Sequence, residues 1–253
     1  MNGMIIKDDA RYDYCENFLK NCGHTFNAAK NLNFVIFPFK GEVDLSKYDD
    51  SFFAELKKGT PIFSGVLNMA LAYKCEKYGL EYHAMIEKRG VAIKNAVPTS
   101  EGVLTYLIAN RNETIAGSRV LVVGYGICGS DLCKRLKALG ADVYSLVRNR
   151  EKESSAYTDG ITPLYLPGIF EKTSFDIIIN TVPERVLSNK MLSKTNGAIL
   201  IDIASSPYGF DIGYAKKLNE KSAILPGLPG KFAAKTAGEI LGEYINYILS
   251  GGQ

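Results

Sequence analysis

Residues 118–150 leave this chain few folds to choose from. An apolar run, Val120-Leu121-Val122-Val123, leads into Gly124-Tyr125-Gly126-Ile127-Cys128-Gly129. Helical periodicity follows over residues 131–139 and stops at Gly140. A second apolar run, residues 143–147, ends on Arg148-Asn149-Arg150. Strand, glycine turn, helix and strand make a dinucleotide-binding βαβ unit, with G-x-G-x-x-G at the first junction. Each glycine has a mechanical task there: Gly124 permits the tight turn, Gly126 admits a pyrophosphate to the backbone, and Gly129 lets helix and strand close. The diphosphate then rests on the helix N-terminus, where unpaired N–H groups and the helix dipole favour an anion. Gly124, Tyr125, Gly126, Ile127, Cys128 and Gly129 are therefore the first cofactor-binding candidates.

The end of the second strand chooses between dinucleotides. NAD sites place an Asp or Glu there, about 20 residues beyond the glycines, to hold the ribose hydroxyls; an Arg suits a 2′-phosphate. This chain carries Arg148, Asn149 and Arg150, with no acid before Glu151. Guanidinium groups bind a phosphate that a carboxylate would repel. NADP is the expected cofactor, and Glu151 keeps NAD open.

Composition excludes other classes. The chain has 253 residues, 46% hydrophobic and 23% charged, with a net charge of +3. That charge, without a basic block or an aromatic series, does not support nucleic-acid binding. No apolar run approaches the roughly 20 residues that cross a bilayer. Asp8, Asp9 and Arg11 follow Met4-Ile5-Ile6 too closely for a signal peptide. Five cysteines without a C-x-x-C pair read as reduced cytosolic thiols, and two histidines leave little scope for a metal. Cys128 sits at a helix N-terminus, where a thiol pKa can fall; it is expected to pack beside the cofactor.

Before the glycine turn, strands and helices alternate to about Asn95. The strand ends carry Asp9-Ala10-Arg11, Ser64-Gly65 and Glu87. These are ordinary turn and cap residues, yet open parallel sheets bind ligands at such ends, and the Arg11 fork suits a carboxylate. A hinge follows at Lys94-Asn95-Ala96-Val97-Pro98-Thr99-Ser100-Glu101-Gly102. Pro98 should hold its predecessor extended, with Thr99 or Ser100 capping the next helix. Glu101 is then a dipole partner or an acid/base group. Residues 151–160 read as a polar, mobile loop. Later motifs are Asn180-Thr181-Val182-Pro183 and a strand over residues 198–204 interrupted by Asp202. Pro226-Gly227-Leu228-Pro229-Gly230 then forms a rigid turn into a helix over residues 231–249. Small residues Ala234, Gly238 and Gly242 permit that helix to pack closely on a neighbour. The predicted fold is α/β: a Rossmann doubly wound parallel sheet (99–230) with a second, smaller N-terminal α/β domain (1–98). The C-terminal helix (231–253) should return to the smaller domain.

With these motifs assembled, the chain resembles the dipicolinate synthase A-subunit family of spore-forming bacteria. The resemblance rests on Asn95-Ala96-Val97-Pro98-Thr99 with Glu101-Gly102, Gly124-Tyr125-Gly126 and Asn180-Thr181-Val182-Pro183. Asp202-Ile203-Ala204-Ser205 with Pro207, and Pro226-Gly227-Leu228-Pro229-Gly230 through Lys235-Thr236-Ala237-Gly238, extend it. It implies oxidation of 4-hydroxy-tetrahydrodipicolinate, a cyclic dicarboxylate, to dipicolinate with NADP during sporulation, in the mother-cell cytoplasm. It also implies a partner, the flavoprotein-like B subunit of dipicolinate synthase, and a homo-oligomer is compatible. Such a reaction needs donors for two carboxylates and a proton-transfer group. Substrate-binding candidates are Arg11, Ser64, Gly65, Lys94, Asn95, Thr99, Lys235 and Thr236. Glu101, then Glu87, are the proton-transfer candidates, with Lys235 as a catalytic cation. The nicotinamide should meet Thr181, Val182, Pro183, Ala204, Ser205 and Leu228. Two other readings stand beside this one: a shikimate- or methylene-tetrahydrofolate-dehydrogenase-like oxidoreductase, and an NADP-binding sensor or scaffold subunit.

Overall fold

The computed structural model describes residues 1–27, 30–39, 45–166, 168–195 and 197–252. The chain divides into two units, Met1–Asn95 with Pro229–Gln253, and Ala96–Leu228.

In the first unit, β1 (Gly3–Ile5), α1 (Arg11–Asn21), β2 (Phe34–Ile36), α2 (Asp50–Ala54), β3 (Pro61–Ser64), α3 (Met69–Tyr78) and β4 (Glu81–Ala84) follow in order. The strands form a parallel sheet, β1-β2-β3-β4. Strands covered on both faces read as unbroken apolar runs, and β2 shows why. Phe34 and Ile36 enter one core with Tyr12, Leu19 and Phe63, while Val35 and Phe37 enter another with Phe53, Ile62 and Leu71. α3 begins at Met69 because the Asn68 side chain accepts from Leu71 N, and it ends on left-handed Gly79. After β4 the chain turns through a 3-10 segment, Met85–Glu87.

α4 (Arg89–Asn110) is one continuous helix with Pro98 inside it. The expected break and the Thr99 or Ser100 cap are therefore absent, and Glu101 lies in the helix body. An interior proline costs about 3 kcal/mol. Burial of Val91, Ala96, Val103 and Leu107 along the same helix outweighs that local penalty.

The second unit continues with β5 (Arg119–Val123), α5 (Ile127–Ala138), β6 (Asp142–Leu146), α6 (Arg150–Thr158), β7 (Thr162–Leu164), α7 (Ile169–Lys172), β8 (Ile177–Asn180), α8 (Asn189–Leu192), β9 (Ile199–Asp202), α9 (Ile212–Leu218) and β10 (Ala223–Ile224). All six strands are parallel, in the order β10-β9-β8-β5-β6-β7. From the other edge this is 3-2-1-4-5-6, the doubly wound order that binds dinucleotides at the reversal point. That point lies between β5 and β8, where Val123 pairs with Asn180. Residues 151–160 correct the expected loop. They lie mostly in α6, because the Asn149 side chain accepts from Lys152 N and starts a helix there.

The expected single helix over residues 231–249 is two. α10 (Leu228–Phe232) and α11 (Ala234–Leu249) are separated by Ala233 at φ −144°, ψ 48°. α11 packs on α1 through its small residues. A Cβ at Gly238 would stand 2.2 Å from the Arg11 carbonyl oxygen, and one at Gly242 would stand 2.7 Å from the Phe18 ring.

Candidate functional site

The three turn glycines differ in what surrounds them. Gly124 has φ +98°, and a Cβ there would meet Val182 Cγ2 at 2.6 Å and Thr181 Oγ1 at 2.8 Å. At Gly129 a Cβ would lie 2.2 Å from the Gly124 carbonyl oxygen. Gly126 faces open space, with nothing within 4 Å of a Cβ. It precedes the first residue of α5, and no side chain caps that helix. Two glycines thus close the turn, and the third leaves a bare helix N-terminus.

Beside the turn lies a cavity of about 480 Å³, lined by Gly124, Tyr125, Gly126, Val147, Arg148, Lys152, Tyr165, Thr181, Val182 and Pro183 among others. Ile127, Cys128, Gly129, Asn149, Arg150, Ala204, Ser205 and Leu228 are not in its lining. Leu228 is buried in the core of the unit with Val103, Leu107 and Val122. Asn149 spends its side-chain oxygen on the α6 cap. Arg150 is 90% exposed and bonds Glu153 at 2.8 Å. Of Arg148, Asn149 and Arg150 only Arg148 lines the cavity, and it is joined there by Lys152, which strand-end reasoning missed because it sits one helical turn further on. Tyr125 is fixed by its hydroxyl, which donates to Asp159 Oδ2 at 2.6 Å. Burial raises the Cys128 thiol, helped by the Asp131 carboxylate, against the lowering expected from its helix position.

The wall formed by Thr181, Val182 and Pro183 is held by a buried network. Asn180 Nδ2 donates to the Val182 carbonyl at 2.8 Å and to Asp202 Oδ2 at 3.0 Å. Val182 N donates back to Asn180 Oδ1 at 3.2 Å. Asp202 also accepts from Gly209 N at 2.6 Å and from Ala204 N at 2.9 Å. Thr181 Oγ1 donates to the Val123 carbonyl at 2.9 Å, tying this loop to β5.

In the first unit, Arg11 is buried, with its Nε 2.9 and 3.0 Å from the two Asp9 oxygens and its guanidinium 3.8 Å from the Phe39 ring centre. Asp9 also accepts from Nη2. A Cβ on Gly230 would come within 2.9 Å of Arg11 Nε. Ser64 is fully buried, its hydroxyl donating to the Val66 carbonyl at 2.8 Å and sharing a 2.6 Å bond with the Tyr82 hydroxyl. Gly65 lies against Phe39, where a Cβ would approach within 2.3 Å of the ring. Both are thus engaged by the chain's own groups. Lys94 is ion-paired with Glu243, and Glu101 stands 3.4 Å from Arg135. Asn95 and Thr99 are partly buried and have partners. Glu87, Lys235 and Thr236 are exposed, with Lys235 4.0 Å from Glu239. Among the described residues, no group of His, Cys, Asp and Glu could hold a metal, and no helix is long and apolar enough to cross a membrane.

Residues 96–206 match the NAD-binding domain of the D-isomer specific 2-hydroxyacid dehydrogenases. The dipicolinate synthase A-subunit of Bacillus subtilis (strain 168) is 35% identical over 191 residues, 75% of this chain and 64% of that protein. The chain therefore matches less than two thirds of that relative's length. The crystal structure of the Bacillus subtilis dipicolinate synthase A chain superposes with a TM-score of 0.87 at 26% identity, covering 99% of this chain and 96% of that one. The corresponding protein from Bacillus halodurans gives 0.88 at 26% identity, covering 98% and 97%.

Proposed function

We propose that this chain, similar to the dipicolinate synthase A-subunits in sequence and fold, is an NADP-dependent dehydrogenase that converts 4-hydroxy-tetrahydrodipicolinate to dipicolinate, the 4-hydroxyl leaving as water and two hydrogens leaving as a hydride to NADP and a proton. The observation that carries the cofactor half is the contrast at the turn: Gly124 and Gly129 cannot take a Cβ, while Gly126 opens onto an uncapped helix. Those residues fit a dinucleotide diphosphate. Arg148 and Lys152, on the cavity wall, would hold a 2′-phosphate. When bound, the nicotinamide supplies the hydride acceptor.

The chain's own residues bind and orient the dicarboxylate. Arg11 has five N–H donors, and among the described residues its guanidinium is bonded to Asp9 through Nε and Nη2. Its remaining donors suit a carboxylate, and Asp9 fixes the fork in place. Lys235 and Thr236, exposed on the first turn of α11, are proposed for the second carboxylate. Glu101 is proposed for proton transfer, with Glu87 second. Aromatisation favours the product, so orientation is the protein's main task. A flavoprotein-like B subunit is the proposed partner, and the mother-cell cytoplasm the proposed location.

The test is NADP reduction by the purified chain with freshly generated substrate, with and without the B subunit. Turnover that falls at least tenfold in Arg11→Ala and Lys235→Ala supports the assignment. Dinucleotide binding without turnover at any concentration, B present, would instead make the chain a sensor or scaffold.

A further inference from the structure

Asp202 interrupts an apolar strand and has no exposed surface. A carboxylate there is costly unless hydrogen-bonded, and its donors tie three segments together. Gly209 N and Asn180 Nδ2 reach Oδ2, and Ala204 N reaches Oδ1. Asn180 is equally buried and passes the constraint on, holding both the carbonyl and the N–H of Val182. Gly209 closes the arrangement from behind, since a Cβ there would stand 2.2 Å from Asn180 Cγ. Val182 is a cavity-wall residue whose Cγ2 lies against Gly124. One unbroken chain of bonds therefore runs from Asp202 to the wall beside the glycine turn.

We propose that Asp202 is a positioning residue which, through Asn180, sets the Thr181-Val182-Pro183 wall against which the dinucleotide binds. This rests on the dinucleotide reading above. Asp202 is fully buried and outside the cavity lining; it acts by giving Asn180 Nδ2 an acceptor that helps to fix the carboxamide. An amide in its place would turn an N–H towards at least one of the three donors, and with that N–H in the place of Oδ2 the Asn180 carboxamide would lose its acceptor.

The experiment measures NADPH affinity by its fluorescence, together with melting temperature and substrate KM, in wild type, Asp202→Asn and Asn180→Ala. Asn180→Ala keeps both backbone donors on Asp202, so it remains informative if Asp202→Asn fails to fold. Loss of the two bonds to Val182 should weaken NADPH roughly tenfold or more, with substrate KM unchanged. Asp202→Asn should weaken NADPH in the same direction, with substrate KM unchanged. A purely structural role would lower melting temperature but leave NADPH affinity of the folded fraction intact, and that result, or wild-type affinity in Asn180→Ala, overturns the proposal. Absence of NADPH and NADH binding in wild type would overturn the dinucleotide reading itself, and this proposal with it.

Discussion

The Gly124 carbonyl oxygen lies 2.2 Å from where a Gly129 Cβ would sit, so β5 and α5 meet with no room for a methyl group. Gly126, two residues after Gly124, has nothing within 4 Å of a Cβ and φ −87°, which any residue adopts. The pair separates fold from binding. Gly129→Ala should destabilise the protein by about 1–3 kcal/mol, the usual penalty for overpacking. Gly126→Ala should melt like wild type and lose NADPH affinity, because its methyl group stands where the diphosphate approaches. Thermal melts beside NADPH titrations check both. Equal melting of the two variants would contradict these separate roles.

Cofactor choice should depend on Arg148 and Lys152, and not on Arg150. A charge-assisted hydrogen bond contributes about 1.5–3 kcal/mol. Arg148→Ala should therefore weaken NADP by roughly tenfold to a hundredfold and leave NAD affinity little changed. Arg150→Ala should alter neither, since that side chain is exposed and paired with Glu153. The readout is the ratio of Kd for NADP to Kd for NAD in each variant.

The Rossmann unit is legible in the sequence because its signals are local. The apolar run of β5, the glycine spacing and the basic residues after β6 all fall within residues 118–150, and no distant contact is needed to interpret them. Pro98 misleads because the rule that proline ends helices is also local, whereas burial on both sides of it is a tertiary effect. Residues 151–160 read as a loop because α6 is polar almost throughout; its one strong signal is the Asn149 cap, which strand-end logic assigns to phosphate binding. Asp202 stands out only as a break in a strand, since nothing in the sequence tells that Asn180 and Gly209 meet it. Ser64 and Glu87 show the limit from the other side. Ser64 ends β3 and Glu87 comes just after β4 of the same sheet, yet one is sealed among Val66 and Tyr82 and the other is exposed.

Acid should loosen the second unit through Asp159. The Tyr125 hydroxyl, then Lys134, holds this carboxyl below its ordinary range. A carboxylate with a depressed folded pKa contributes stability that is present above the unfolded value, near 4, and lost as pH falls through the folded one. Melting temperature should therefore fall from about pH 4 downwards. Tyr125→Phe, which removes the largest cause, should lower stability at neutral pH and flatten that decline.

The close approach of α11 to α1 makes Gly238 a point of failure for the first unit. A Cβ there would meet backbone, the Arg11 carbonyl oxygen at 2.2 Å, and the Tyr14 Cβ at 2.8 Å. Neither can swing aside as a side-chain tip could. Gly238→Ala should cost at least about 1–3 kcal/mol, measured by urea unfolding, and Arg11 should move with α1. Turnover loss greater than the stability loss explains would support a substrate role for Arg11.

Thiol chemistry gives a probe of the cofactor site that needs no substrate. Burial pushes Cys15 and Cys75 up to about 12, and raises Cys133 further, so at about pH 8 these three carry almost no thiolate. Cys22 is exposed and should react with DTNB in a fast phase that Cys22→Ser abolishes. Cys128 is raised by burial but is partly accessible beside Gly126 and Gly129, so it should react slowly. A dinucleotide on the α5 N-terminus would cover it, and NADP should slow that second phase without touching the first. If saturating NADP leaves the Cys128 phase unchanged in a protein shown to bind it, the diphosphate does not lie on this helix.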